Sequence, residues 1–258
     1  MPFVDLLETL RRDLSAEREA LDSVLAPLSL DAWATPTPAE GWTIKDTVAH
    51  LHRTDQAALI AVDDPERFRR DFDAISEAVF HPIYTGDVPS LVAAWRETAG
   101  KVTEAVSAVP RREKIVWLGL PLSPAWFLTA RLMETWAHGQ DIVDALGVTR
   151  EPTARLRHIA HIGVRARPFS YATNGREVPD GDVRVELRAP RGEQWTWNES
   201  STDWVRGDAL DFCLVVTQRR HVADTALDVH GPLATDWIAI AQAFAGPPGS
   251  GREPGQFA

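Results

Sequence analysis

Apolar positions recur at helical spacing through the first half of the chain and at strand spacing only in the second. Phe3, Leu6, Leu7, Leu10, Leu14, Leu21 and Leu25 return at steps of three, four or seven with Arg and Glu between them, which predicts an amphipathic helix over 3–26. Pro27 ends it, and Pro36, Pro38 and Gly41 mark 28–41 as loop. Thr43-Ile44-Lys45-Asp46 has the form of a capping box and opens a helix running to Val62. Residues 63–89 have no steady period, and Pro82, Gly86 and Pro89 argue against one long helix; a connection of that length is often functional. Ser90 is expected to cap a third helix, Leu91 to Val109, stopped by Pro110. After a short apolar stretch, Lys114 to Leu120, Ser123-Pro124 starts a fourth helix that ends at Gly147.

The second half reads differently. Pro152 to Pro168 is expected as helix and Asn174-Gly175 as a turn. Val183-Arg-Val-Glu-Leu187 alternates as a half-buried strand does; Arg191-Gly192 turns the chain, and Gln194 to Asn198 returns along it. Trp204-Val205 adds a strand, Asp208 to Arg220 a helix, Leu227 to Gly231 a strand and Pro232 to Ala245 a last helix, before a loop over 246–251. The expected fold class is α+β: a four-helix bundle over 1–150 and a smaller α/β domain over 151–258.

The fourth helix carries the chemistry. Glu134 and His138 are one turn apart and share a stripe with Phe127, Ala130, Ala137, Asp141 and Ala145, while Leu128, Leu132 and Trp136 make the opposite side apolar too. The helix should be buried nearly all round, where an ionised Glu costs several kcal/mol (order of magnitude) unless paired or bound to metal. Two readings stand: a buried Glu–His hydrogen bond that staples the helix, or two ligands of a divalent ion. His50, on the second helix among Thr43, Asp46, Thr47 and Thr54, offers a third ligand facing a polar cavity, and bundles build metal sites between facing helices. Three protein ligands and an open position describe a catalytic, zinc-type centre, although the same ligands accept nickel, iron or manganese. Asp46 is either a helix cap or an outer-shell carboxylate, and Asp141 either orients a ligand or caps the helix end. His52 points away from His50, His81 is expected to be exposed, and His158 and His161, three apart, could be ligands but sit on an Arg-rich helix, which favours a structural reading.

Composition narrows the rest. Formal net charge is −10, which argues against a nucleic-acid backbone as partner, and no apolar run reaches the length of a membrane span. Met1-Pro2-Phe3-Val4-Asp5 shows no secretory pattern. Cys213 is the single cysteine, so neither an intramolecular disulfide nor a thiolate-rich metal site is available; in an apolar run it reads as a buried, inert thiol, and a cytoplasmic address is expected. Ten tryptophans are many for this length, enough for some to line a cavity.

Gly41-Trp-Thr-Ile-Lys-Asp-Thr-Val-Ala-His50-Leu51 and Glu134-x-x-x-His138-x-x-Asp141 together resemble the mycothiol-dependent maleylpyruvate isomerase family of DinB-like metal-binding bundles. The resemblance implies His50, Glu134 and His138 as ligands, zinc as the metal, and a sterol-carrier-like second domain that closes over the metal and supplies an arginine. Cys213-Leu-Val-Val-Thr-Gln-Arg219-Arg220 looks like that arginine's region, with Arg219 the first choice and Arg220 the second. Arg167-Pro-Phe-Ser-Tyr171, Leu210-Asp-Phe-Cys213 and Gln242 to Gly249 look like a subgroup without an assigned reaction. The expectation is an enzyme, a monomer or homodimer, in which the metal lowers the pKa of a low-molecular-weight thiol such as mycothiol. The thiolate attacks a small anionic electrophile held by Arg219, giving isomerisation or S-transfer. Two rivals use the same scaffold: a hydrolase or lyase working through metal-activated water, and a non-catalytic small-molecule binder.

Overall fold

The computed structural model describes residues 5–81, 83–249 and 251–257, so Phe3, Pro82 and Ser250 lie outside the described residues. The chain divides into two compact units, Met1–Arg150 and Glu151–Ala258.

Four long helices build the first unit: α1 (Leu6–Leu25), α2 (Ile44–Asp63), α5 (Val88–Ala108) and α6 (Pro124–Leu146), with short α3 (Pro65–Arg70) and α4 (Phe72–Phe80) between the second and third of them. α2 packs chiefly on α5 and α1 on α6, while α2–α6 and α1–α5 contacts close the bundle. Each start has a side-chain acceptor for the unpaired first-turn amides. Asp5 Oδ1 accepts from the Leu7 amide at 3.0 Å. Thr43 and Asp46 complete a reciprocal capping box, and Ser123 accepts from the Trp126 amide at 3.2 Å. The third long helix is capped by Asp87, not Ser90: Asp87 Oδ1 accepts from the Ser90 amide at 2.9 Å, and Val88-Pro89 forms the first turn. Gly147 ends α6 at φ 64°, left-handed backbone that a side chain would strain.

α6 is buried on every side, with Phe127, Leu128, Leu132, Met133, Trp136, Ile142 and Val143 all in the core. Leu21, Leu25, Trp33, Ile44, Val48, Leu91 and Trp95 fill the bundle beside it. The apolar stretch after Lys114 is a hairpin, β1 (Ile115–Trp117) and β2 (Leu120–Leu122), turned at Leu118 (φ 48°) and Gly119 (φ 80°). No helix among the described residues is long and apolar enough to cross a membrane.

The second unit carries α7 (Leu156–Arg165), α8 (Arg167–Thr173), β3 (Val183–Arg188), β4 (Gln194–Trp197), β5 (Asp203–Asp208), α9 (Ala209–Val216), β6 (Asp228–His230) and α10 (Pro232–Ile238). The sheet order is β4-β3-β5-β6; β3 and β5 are parallel and the outer pairs antiparallel. Val183, Val185, Leu187 and Val205 are buried, and α9 lies against β3 and β5. Pro168 sits in the first turn of α8 instead of ending the preceding helix. The last helix stops at Ile238, short of the expected Ala245, because the chain beyond it pairs elsewhere. The Gln242 amide donates to Ser170 Oγ at 3.0 Å and the Ala243 amide to the Val216 carbonyl at 2.8 Å.

Candidate metal centre

His50 on α2 and Glu134 and His138 on α6 meet inside the bundle. One donor atom from each lies within 4.8 Å of the other two. His50 Nε2 and His138 Nε2 both face Glu134 Oε2, at 3.4 and 3.6 Å, with the imidazole centroids 4.5 Å apart.

The other ring nitrogens decide what this arrangement can hold. His50 Nδ1 lies 2.8 Å from the Val79 carbonyl oxygen, which only accepts, so the proton sits on Nδ1 and the hydrogen bond runs to Val79. His138 Nδ1 likewise donates to Asp141 Oδ2 at 3.1 Å, and Asp141 is fully buried. In the neutral rings each Nε2 then turns a lone pair toward a carboxylate oxygen, an apposition that needs a cation or a proton between. Burial, reinforced by the neighbouring His138, pushes His50 below the ordinary histidine range and so disfavours the proton. Burial alone would raise Glu134, but the two imidazoles that face it and the Arg131 charge outweigh it and hold the carboxyl well below the usual range. Two neutral imidazoles and an ionised carboxylate, with both outer nitrogens occupied, suit a divalent ion.

Trp42 walls the centre, its ring 4.9 Å from His50 and stacked 5.8 Å from His138. It gets there because Gly41 takes φ 78° and the Trp42 carbonyl accepts from the Thr37 amide at 2.8 Å. Away from Trp42, buried charges cross the bundle. Arg131 lies 4.0 Å from Glu134 and 3.8 Å from Asp55, and Asp55 accepts at 3.2 Å from Arg18. Arg18 also donates to Thr103 Oγ1 at 2.7 Å, so all four long helices join.

Residues 14–143 match the profile described as the mycothiol maleylpyruvate isomerase N-terminal domain. The chain belongs to this family. It is also 45% identical over 251 residues to the Uncharacterized protein Rv0036c of Mycobacterium tuberculosis (strain ATCC 25618 / H37Rv), a match covering 93% of this chain and 96% of that one. The same figures hold for Uncharacterized protein MT0041 of strain CDC 1551 / Oshkosh. The fold is similar to the crystal structure of the mycothiol-dependent maleylpyruvate isomerase, with TM-score 0.57 at 16% identity over 83% of this chain and 90% of that one. A histidine-to-alanine mutant of that enzyme gives TM-score 0.58 at 15% identity with the same coverage.

Within this family fold, the residues picked out from sequence go to different places. Asp46 is the helix cap: Oδ2 accepts from the Thr43 amide and hydroxyl at 3.0 and 2.6 Å, and Oδ1 from the Tyr84 amide at 2.9 Å. The outer partner of His50 is the Val79 carbonyl, which no residue-type signal announces. Of the two roles open to Asp141, the structure favours orienting His138. Asp141→Asn is therefore expected to weaken metal binding by about tenfold or more, read by chelator competition; wild-type affinity would show that the carboxylate does not support the ligand.

Arg219 and Arg220 are in the second unit, past the end of α9, where both amides donate to the Leu214 carbonyl at 2.7 and 3.3 Å. Gln218 at φ 60° makes that turn. The Arg220 guanidinium lies 4.3 Å from the Phe257 ring. His161 Nδ1 accepts from Trp197 Nε1 at 3.2 Å, and exposed His81 stays on the surface. Cys213 is fully buried, its thiol donating to the Leu156 carbonyl, and burial pushes its pKa well above the ordinary thiol value.

Proposed function

We propose that the chain is a metal-dependent enzyme of the maleylpyruvate isomerase type that takes a low-molecular-weight thiol, mycothiol or a close analogue, as cosubstrate. The observation that carries this reading is the convergence of His50 Nε2 and His138 Nε2 on one oxygen of Glu134, with both Nδ1 atoms already donating. A divalent ion, zinc by the family resemblance, would supply Lewis acidity there, lowering the pKa of a thiol to give a nucleophile at neutral pH.

The chain's own groups divide the remaining work. His50, Glu134 and His138 hold the ion; the Val79 carbonyl and Asp141 keep both rings in the tautomer that presents Nε2. Trp42 excludes water from one side. Arg219, with Arg220 as second choice, is assigned to hold the carboxylate or developing enolate of the substrate. The thiol must come from outside, since the only cysteine is buried and held in its protonated form.

The test is turnover of maleylpyruvate and other small anionic electrophiles with mycothiol present or omitted, on chelator-stripped and re-metallated protein. Turnover that needs both thiol and metal is the expected result. Full turnover without thiol would move the assignment to metal-activated water, and turnover indifferent to stripping would end the metal reading.

A further inference from the structure

The segment between α2 and α5 reaches the centre through the Val79 carbonyl. α4 contains it, and among α4 residues only Val79 is buried. A nine-residue helix with one fully buried side chain, beside half-buried Phe72 and Ile75, has little stability of its own and depends on its tertiary contacts. Its tertiary hydrogen bonds come from one face of α2. Asp46, His50 and Arg53, spaced by four and three residues, each fasten a successive part of the segment. Asp46 accepts from the Tyr84 amide at 2.9 Å and His50 donates to Val79 at 2.8 Å. Arg53 Nη1 donates to the Ala78 and His81 carbonyls, both at 3.1 Å, and Nη2 to Ile83 at 3.4 Å.

The last carbonyls of a helix have no partner within it, and the helix end carries partial negative charge. A guanidinium with several donors in a fixed fork is suited to gather them. Ala78 and Val79 are neighbouring orphan carbonyls; Arg53 takes one and the metal-ligating histidine the other. Where Arg53 sets the end of α4, it also sets the oxygen that fixes the His50 ring.

We infer that Arg53 is a positioning residue for the metal centre: by holding the C-terminal end of α4 it places the Val79 carbonyl that orients His50. This rests on the three-ligand metal reading. It also ties the end of α4 to the centre, so that ion binding and ordering of α4 are linked. By reciprocity, what loosens α4 weakens the ion by the same factor that removing the ion loosens α4.

The experiment measures zinc affinity by chelator competition and amide exchange across residues 72–81, on the full chain as wild type, Arg53→Ala and Arg53→Lys. Zinc is expected to slow exchange there in the wild type. Arg53→Ala should bind zinc about ten- to a hundredfold more weakly, with fast exchange whether or not zinc is present. Arg53→Lys, keeping the charge but reaching fewer carbonyls, should fall between, and carries the test if the alanine variant does not fold. Zinc binding at wild-type strength in the folded variant overturns the role of Arg53 and leaves the metal centre standing. A wild type that takes up no zinc overturns the centre itself, and Arg53's role with it.

Discussion

Asp55→Ala is expected to destabilise the first unit by about 3–5 kcal/mol, the cost of breaking a buried ion pair from one side. Asp55 sits between Arg18 at 3.2 Å and Arg131 at 3.8 Å, and all three side chains are at least nine-tenths buried. Without the carboxylate, two guanidiniums face each other in the core. Arg18 would keep the Ala99 carbonyl and Thr103, at 2.5 and 2.7 Å, neither of which neutralises its charge, and Arg131 would keep only the looser contact with Glu134 at 4.0 Å. Asp55→Asn, nearly the same in shape, should lose a comparable amount, which separates charge from packing. Denaturant unfolding checks both variants; a loss under about 1 kcal/mol would mean the two arginines are hydrated or otherwise compensated.

Glu134→Gln should act in opposite directions with and without metal. It removes the anionic ligand while keeping its shape, and an apparent metal-binding free energy of about 10–16 kcal/mol shared among ligands implies a loss near 3–5 kcal/mol, roughly a thousandfold in affinity. In chelator the same change puts an amide that can donate where a carboxylate oxygen faced two imidazole lone pairs, at 3.4 and 3.6 Å. The metal-free variant should then be as stable as the wild type or more so. A staple formed by a protonated histidine predicts the reverse, because the substitution would break an ion pair in the core. Unfolding curves in chelator beside zinc affinities for the same variant decide between them.

How far the sequence shows all this depends on which groups do the work. Ser123-Pro124, Gly147 and the Thr43–Asp46 box are local devices, legible because cap chemistry depends on residue types at fixed offsets. Glu134 and His138 are likewise one turn apart on one helix. His50 required a tertiary argument, that a histidine among small polar residues on the second helix faces the fourth. The groups that sequence reading missed act through the backbone or across large sequence separations. The Val79 carbonyl carries no side-chain signal, and the apolar period of α4, Phe72, Ile75 and Val79, is too short to stand out in an irregular stretch. Asp55 and Arg131 look like ordinary charges until their helices pack. Ala239 to Phe244 has the composition of a helix, but hydrogen bonds to Ser170 and Val216 draw it out of one. Asp87 outranked Ser90 as cap because Pro89 favours the first turn, where its missing amide costs nothing.

The central claim is that an ion held by His50, Glu134 and His138 makes an external thiol acidic. The most direct measurement is calorimetric titration of mycothiol into wild-type protein, metal-loaded and chelator-stripped, in buffers of different ionisation heat. One equivalent of thiol binding to the loaded protein only, with release of about one proton per thiol near neutral pH, is the predicted result. Thiol binding that is the same with and without metal, or that releases no proton, would contradict it.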